Sequence, residues 1–294
     1  MPELPDVAIY VESLAARVLG QPLETLAIKT PFVLRSVSPP VSAVEGRRVA
    51  GVRRLGKRIV LDMGDELFIV MHLMIAGRLR WRTPGKKMPP GNVLATFTFP
   101  SGVLALTEAG STRRASLHLV HGEGTLRDMD RGGIEPLEID RATFAAQLAR
   151  ENHTLKRSLT DPRMFSGIGN AYSDEILHRA RLSPLALSKK LSDAEVSRLY
   201  DAVQTVLREW TARLRDQLGG EFPEKVTAFR DEMAVHGRYG KPCPVCGAPV
   251  QRIRYASNET NYCARCQTGG RLLADRAMSR LLREDWPRSI DELE

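Results

Sequence analysis

The chain has 294 residues, of which 43% are hydrophobic and 27% are charged, a composition typical of a globular protein with more than one core. Lys and Arg number 43 against 35 Asp and Glu, and this balance of +8 favours a polyanionic partner such as nucleic acid. No apolar run reaches membrane-spanning length and the N-terminus lacks a signal-peptide pattern, so we expect a cytoplasmic protein with no membrane partner.

The first predicted element is a helix from Pro5 to Leu19. Pro5 suits the first turn of a helix, where a missing N–H costs nothing, and Gly20 suits its end. The apolar residues fall on one face of this helix, namely Val7, Val11, Leu14, Ala15 and Val18. The helix would anchor the N-terminus, and with it Pro2, against a core.

The residues before this helix could carry chemistry. If Met1 is removed, Pro2 presents a free secondary amine, and an α-amino group titrates near pH ~8, so part of it is uncharged at neutral pH. Attack of that amine on a sugar aldehyde carbon gives a cationic iminium, which can drive elimination, and Glu3 would act beside it as a proton carrier. The alternative is that Pro2 and Glu3 only lead into the helix.

Short alternating runs follow from about Leu23 to Thr107, separated by Gly, Pro or Asp turns. Many short strands without intervening helices predict an antiparallel sandwich or barrel. The predicted strands are Val49–Val52, Ile59–Leu61, Leu67–Met71, Leu79–Trp81, Val93–Phe99 and Val103–Thr107.

The second half of the chain reads as helical after a Gly- and Asp-rich stretch, Arg127 to Pro136. A capping box, Ser192-Asp193-Ala194-Glu195, opens a long helix with an apolar face. Before it, helices are predicted over Asp140–Arg150, Leu155–Asp161 and Ala171–Arg181. A further helix-like pattern with Leu272, Leu273, Leu281, Leu282 and Trp286 runs from Gly269 to Trp286, and we expect it to pack on the helical domain.

All four cysteines lie in one short stretch, as two Cys-x2-Cys pairs separated by 16 residues: Cys243, Cys246, Cys263 and Cys266. This spacing predicts a four-thiolate site for one structural zinc ion. None is left for a disulfide framework, in agreement with a reducing compartment. The ribbon between the pairs is basic and would face a partner.

Two further motifs suggest phosphate contacts. Gly167-Ile168-Gly169-Asn170 stands between two predicted helices, and the N–H groups of a helix N-terminus bind phosphate readily. An ordinary helix–helix turn would show the same glycines. Lys57 belongs to a basic run, Arg53 to Arg58, at a strand start, and such a run is either a solvated face or a phosphate contact.

These motifs, in this order, resemble the formamidopyrimidine-DNA glycosylase and endonuclease VIII family. The resemblance rests on Pro2 to Val7, Leu55-Gly56-Lys57, His72-Leu73, Gly167 to Glu175 and the four-cysteine finger, and it runs from Met1 to about Gln267. The opening Pro-Glu-Leu-Pro is closer to the formamidopyrimidine branch.

The resemblance implies an α+β multidomain fold, with an N-terminal antiparallel β-sandwich and a C-terminal helix–two-turn–helix domain that carries the zinc finger. It implies a monomeric, nucleoid-associated bacterial enzyme that binds damaged DNA between its domains. The expected domains are 1–126 for the catalytic sandwich, 127–139 for a linker, 140–236 for the helix–two-turn–helix domain, 237–268 for the finger and 269–294 for a helical extension.

By motif position, the resemblance implies that Pro2 is the nucleophile, which attacks the sugar C1′ of a flipped-out nucleotide. Glu3 would be the acid and base. Base release, iminium formation and β,δ-elimination would follow. Lys57, Lys156 and Asn170 would hold the phosphates around the lesion.

Three positions depart from the family pattern. Ile75 stands where a methionine fills the space left by the flipped base, and Asn258 stands where the finger has a phosphate-binding arginine. Arg114 could still pair with the orphaned base, but Ala115 replaces an aromatic wedge. We therefore expect these departures to reduce activity on single-stranded, bulky or already destabilised lesions less than activity on 8-oxoguanine opposite cytosine.

Two alternatives to a glycosylase with apurinic-site lyase activity remain at this point. One is a DNA-binding protein of the same fold with weak or lost base excision, which would recognise abasic or unusual DNA. Ala115 and Asn258 favour it, whereas the presence of both Pro2 and Glu3 argues against it. The other, a zinc-ribbon transcription or ribosomal factor, explains the cysteines and the charge but not the N-terminus.

Overall fold

The computed structural model describes residues 1–86, 92–109, 113–224, 226–227, 229–255, 258–274, 281 and 287–293. The chain divides into two compact units, Met1–Arg131 with Trp210–Thr227, and Gly132–Glu209 with Ala228–Glu294. None of the helices in the described ranges has the length and apolar character that crossing a bilayer requires.

The first unit begins with helix α1, Leu4–Val18, as the sequence predicts. Val7, Tyr10, Leu14 and Val18 are fully buried, whereas Val11 and Ala15 of the predicted face are half-buried. The hydroxyl of Tyr10 also lies 3.4 Å from the backbone nitrogen of Leu79, which donates to it. The helix is therefore fixed along its whole length, and the residues that precede it have a defined position.

Eight strands of the first unit form two four-stranded antiparallel sheets. One sheet has the order β1-β6-β7-β5 and the other the order β2-β3-β4-β8. Their bounds are Thr25–Ile28 (β1), Gly51–Leu55 (β2), Arg58–Asp62 (β3), Leu67–His72 (β4), Gly77–Arg82 (β5), Val93–Phe99 (β6), Gly102–Glu108 (β7) and Ser116–His121 (β8). The sequence analysis did not identify β1 or β8, and the basic run at Arg53 lies in β2 and the turn after it.

The two sheets pack face to face, which confirms the predicted sandwich. One core cluster contains inward residues of both sheets, among them Ile69 and Leu117 from one and Phe97 and Leu106 from the other. The outer face of the second sheet is covered at one end by helix α2, Glu123–Asp128, through Leu126.

The second unit is helical, as predicted. Its helices are α3, Arg141–Ala149, α4, Leu155–Thr160, α5, Asn170–Ala180, and α6, Asp193–Leu218, whose last residues belong to the first unit. The predicted capping box is present, since Oε2 of Glu195 accepts from the backbone N–H of Ser192 at 2.9 Å. The ring of Phe144 packs on Phe165 at 4.9 Å and on Tyr200 at 5.7 Å between centroids.

The cysteine module is a hairpin of β9, Gln251–Arg254, and β10, Glu259–Tyr262, followed by the short helix α7, Ala264–Thr268. The helix predicted from Gly269 is wrong over residues 269–274, because Arg271 forms a β-bridge with Ser289, whereas residue 281 is helical. Leu272 and Leu273 pack in the core of the finger, not on the helical domain. The rest of that prediction, residues 275–280 and 282–286, lies outside the described residues.

Candidate active site

The N-terminal residues are held by the first turn of α1. Pro2 is buried, Glu3 is 3% exposed, and Asp6 is 2% exposed. The backbone N–H of Glu3 donates to Oδ2 of Asp6 at 3.0 Å, which closes the helix N-terminus. The sequence analysis missed Asp6, although an acidic side chain three residues after the start of a helix is a recognised capping signal.

The charges around this end favour an uncharged amine. In the chain as translated, burial lowers the pKa of the Met1 amino group because it disfavours the ammonium form. The carboxylates of Glu3 and Asp6 raise the pKa, whereas Arg78 and Lys57 lower it further. An amine at this place therefore has carboxylates near it for proton transfer, while burial and two cations discourage its protonation.

Lys57 occupies the tight turn between β2 and β3, where Gly56 has the positive φ of +60° that a glycine adopts without strain. The next residue, Arg58, pairs with His72 across β3 and β4. Burial lowers the pKa of His72 to about 4, and Arg58 and Lys57 add to this effect. His72 is therefore a neutral imidazole at neutral pH, at the same end of the sheet as Lys57.

Ile75 lies at the tip of the turn that joins β4 to β5, and 62% of it is exposed. The turn is closed by a hydrogen bond from the N–H of Gly77 to the carbonyl of Leu73 at 2.9 Å. A Cβ at Gly77 would lie 2.2 Å from that carbonyl oxygen, so no other residue fits there. Met74, beside Ile75, has a φ of 53° and is half-buried.

Arg114 is exposed at the start of β8, next to the Ile75 turn, because His72 pairs with Ser116. Its backbone N–H donates to both carboxylate oxygens of Glu108, at 3.0 and 2.9 Å, and the N–H of Ala115 donates to Oε2 at 3.0 Å. Glu108 is 1% exposed. The sequence analysis missed this buried carboxylate, which stands at the end of a predicted strand. It presents Arg114 outward and leaves Ala115 in the core.

In the second unit, Asn170 is the first residue of α5, after the predicted glycine turn, and is half-buried. Its Nδ2 donates to the carbonyl of Glu259 at 2.9 Å, which ties the turn to the finger hairpin. Nζ of Lys156 donates to the carbonyl of Asn170 at 2.6 Å and forms an ion pair with Asp174. Lys156 therefore points inward, with 11% of its side chain exposed.

Two buried acids of α5, Asp174 and Glu175, bind the segment that precedes the finger; the sequence motif contains both, but no role was predicted for either. Oδ2 of Asp174 lies 2.8 Å from Nδ1 of His236. Glu175 accepts the backbone N–H groups of Ala234, Val235 and His236 at 2.7 to 2.9 Å. Burial raises the pKa of Glu175, and the three N–H donors oppose that shift. Their place in the motif from Gly167 to Glu175 is the signal that could have revealed them.

The four cysteine sulfurs all lie within 4.8 Å of one another. Sulfur atoms on a zinc ion at 2.3 Å would be about 3.8 Å apart, so the donor set fits the one structural zinc ion predicted. Nε2 of His178 lies 3.3 Å from Sγ of Cys243. Asn258 is exposed at the end of the finger hairpin, where its carbonyl accepts from the N–H of Tyr255 at 2.8 Å.

The sequence-predicted site residues thus fall into two groups. In the first unit, the N-terminus with Pro2 and Glu3 lies near Lys57, and the Ile75 turn lies beside Arg114. In the second unit, Lys156 and Asn170 are in direct contact, and the hairpin that ends at Asn258 contacts Asn170 through Glu259.

Comparison with known proteins agrees with this architecture. A model of the formamidopyrimidine-DNA glycosylase N-terminal domain matches residues 1–119, the H2TH domain of the same enzymes matches 133–216, and a zinc finger found in FPG and IleRS matches 240–269. Formamidopyrimidine-DNA glycosylase of Heliobacterium modesticaldum is 34% identical over 279 residues, covering 91% of this chain and all of that protein.

Two more similar proteins extend the comparison. An uncharacterized formamidopyrimidine-DNA glycosylase-like protein of Mycobacterium tuberculosis is 43% identical over 155 residues, which cover 51% of this chain and 94% of that protein. The structure of Lactococcus lactis Fpg in complex with DNA containing an oxidised pyrimidine has a TM-score of 0.78 and 25% identity, over 91% of this chain and all of that one.

The fold, the four-cysteine finger and these relatives define a zinc-containing DNA-repair enzyme, of the class that combines DNA glycosylase and apurinic-site lyase activity and has DNA as its partner. The chain belongs to the formamidopyrimidine-DNA glycosylase family.

Proposed function

We propose that Pro2, freed by removal of Met1, is the nucleophile of this enzyme and that Glu3 carries its protons. The nitrogen lone pair of Pro2 bonds to C1′ of a flipped-out nucleotide, and the base leaves with the electrons of the glycosidic bond and a proton. The nitrogen then gives its proton to Glu3, its lone pair expels the ring oxygen O4′ from C1′, and O4′ takes up a proton, which opens the sugar and forms the iminium. The iminium acidifies C2′. Loss of a proton there expels the 3′ phosphate, δ-elimination expels the 5′ phosphate, and water then releases the sugar from the enzyme.

One observation carries this proposal: Pro2 is buried at the start of a fixed helix, and two carboxylates and two cations surround the amine end of the chain. Burial and the charges of Arg78 and Lys57 both favour the neutral amine, which is the reactive form. The buried Glu3 and the hydrogen bond from its N–H to Asp6 also cap the helix, so the charged groups around the amine, and not the cap, favour a nucleophile over a simple helix lead-in.

The DNA-contacting residues are proposed from their positions in the family motifs. Lys57 and Asn170 would bind phosphates on either side of the lesion. Ile75 would fill the space that the flipped nucleotide leaves, and Arg114 would pair with the orphaned base opposite. Lys156 uses two of the three N–H donors of its ammonium on Asn170 and Asp174, so a phosphate would take the third. Asn258 would offer the DNA backbone only an uncharged side chain.

The substrate class proposed is an oxidised base in DNA whose stacking is already weakened. Position 115 holds an alanine that is 3% exposed, so this position supplies no aromatic side chain to support the DNA duplex when a base is extruded. A neutral Asn258 also removes one phosphate contact, which should weaken binding and reduce its salt dependence. Both effects matter less in single strands, forks and bulky lesions than in intact duplexes with 8-oxoguanine opposite cytosine.

A second candidate, a DNA-binding protein with weak base excision, is favoured by the same buried Ala115. Borohydride trapping separates the two, because borohydride reduces an iminium to a stable amine. We expect the wild-type protein to form a covalent adduct on abasic DNA, and Pro2→Gly, which removes the secondary amine, to form far less. Wild-type protein that binds abasic DNA without any adduct would be the binding protein. Mass spectrometry of the mature N-terminus is the control, since a retained Met1 blocks the nitrogen in an amide.

The enzyme is further proposed to act as a monomer in the cytoplasm, on nucleoid DNA. Its four cysteines are free of disulfides and form the metal site, as a reducing compartment allows. Light scattering at working concentration tests the oligomeric state, and a fluorescent fusion of the full chain tests the location.

A further inference from the structure

The loop between β1 and β2 exposes two large apolar side chains that the proposed reaction does not use. Phe32 is 79% exposed and Val37 is 99% exposed. No aromatic ring of the described residues packs on that of Phe32, although most aromatic side chains of this unit are buried in its core. We call residues 30–37 the Phe32 loop.

The exposure of Phe32 does not come from a loosely attached backbone. Val33 is 2% exposed and belongs to the core of the sandwich. Leu34 forms a β-bridge with Leu117, and the N–H of Arg35 donates to the carbonyl of Leu117 at 2.8 Å. The loop is thus fixed along the start of β8, directly beside the residues that precede that strand.

The Phe32 loop and the residues before β8 together expose three arginines. Arg35, Arg113 and Arg114 are all exposed, and Nη1 of Arg113 lies 3.5 Å from Oγ1 of Thr30. Within the part of the chain that the structure describes, no carboxylate forms a salt bridge with any of the three. Other arginines of the same unit, such as Arg47 and Arg53, do pair with acids.

An exposed aromatic ring among unpaired arginines matches the surface of proteins that bind unpaired nucleic acid. Bases stack on aromatic faces, and arginines beside them neutralise the phosphates. A purely apolar protein partner would leave three buried guanidinium groups without acids, which is costly. The chemistry therefore favours a DNA strand as the occupant.

We propose that Phe32 stacks on an unpaired base of the bound DNA next to the lesion, with Val37 extending the apolar contact and Arg35 and Arg113 on the adjacent phosphates. This assigns to the Phe32 loop the aromatic contact that Ala115 cannot make. The inference depends on the proposed function only in taking damaged DNA as the partner.

The test compares Phe32→Ala and Phe32→Tyr with the full-length wild-type protein. Its probes are a single-stranded oligonucleotide and a duplex with a tetrahydrofuran abasic analogue opposite 2-aminopurine, whose fluorescence is quenched by stacking. We expect Phe32→Ala to bind both DNAs about tenfold more weakly and to lose the quenching, because stacking on one aromatic side chain has an effect of that order. Phe32→Tyr should retain affinity and quenching.

Leu19→Ala is the matched control, because Leu19 is also an exposed apolar residue of this unit, at the end of α1. It should bind and quench as the wild type does. Unchanged affinity and quenching in Phe32→Ala, or an equal loss in Leu19→Ala, would overturn the proposal. Neither readout requires the Pro2 reaction, so wild-type protein that quenches 2-aminopurine but forms no borohydride adduct would refute the proposed function alone.

Discussion

The backbone N–H of Glu3 is bound to the side chain of Asp6 at 3.0 Å, so a buried acid of the first helical turn fixes the residue that is proposed to move the protons. Replacing Asp6 with alanine leaves that N–H without its partner and should cost about 1 kcal/mol of stability, as loss of a helix cap does. It should also slow formation of the borohydride adduct, because Pro2 and Glu3 lose their fixed position. Single-turnover trapping and thermal unfolding measure both effects.

Glu12→Ala is the appropriate comparison for Asp6→Ala, because it removes a carboxylate from the same helix. Glu12 forms a surface ion pair with Arg215 at 2.8 Å, and such exposed pairs contribute little. Adduct formation should be unchanged in this variant. Equal rates in Asp6→Ala and Glu12→Ala would show that the hydrogen bond to Glu3 has no role in the reaction.

Lys57→Ala should weaken binding to every DNA sequence and lower the slope of log affinity against log salt by about one, since one phosphate contact is lost. Lys57→Arg should keep the slope. Lys190→Ala, at an exposed lysine of the second unit, is the charge-matched control. Fluorescence anisotropy over a salt series with abasic duplex provides the measurement. A slope in Lys57→Ala equal to that of the control would exclude the contact.

Lys156→Met should destabilise the second unit strongly. It leaves Asp174, whose side chain is fully buried, without its lysine partner, and breaking a buried ion pair from one side costs about 3–5 kcal/mol. Adding Asp174→Asn removes the uncompensated charge, so the double variant should be more stable than Lys156→Met alone. Denaturant unfolding measures the cycle, and strictly additive losses would argue against a direct pairing.

His72 should make stability depend on pH. Its pKa is about 4 in the folded chain, below its ordinary value of 6.5, so between these values the unfolded chain binds more protons. The contribution of neutral His72 to the free energy of unfolding is complete above pH 6.5. It is lost as the pH falls toward 4, and the loss is at most about 3 kcal/mol. His72→Gln should flatten this part of the profile, whereas exposed His121→Gln should not. Parallel acid-induced unfolding curves for all three proteins would contradict the assignment.

The sequence predicted the helices, the sandwich and the metal site because each depends on local periodicity or spacing. Strand β1 has only four residues, too few to establish an alternating pattern. The C-terminal prediction failed where tertiary contacts decide, since the hydroxyl of Tyr262 accepts the N–H of Leu273 at 2.8 Å and holds that segment extended. A leucine pattern of helical spacing carries no information about such a partner.

The candidate site divides in the same way. Roles for Pro2, Glu3 and the cysteines could be predicted from motifs, whereas the hydrogen-bond partners of the buried acids could not. Glu175 is bonded to the backbone of Ala234 to His236, about 60 residues away, and no pattern near Glu175 identifies backbone partners at that distance. A charged residue in a sequence is most simply read as facing water, and only the fold shows otherwise.

In the turn closed by Gly77, the backbone conformation does not depend on which side chain stands at the tip. Its geometry depends on a glycine and on main-chain bonding, so Ile75 contributes nothing to holding it together. A different side chain at that tip would therefore leave both the turn and the sandwich beneath it intact.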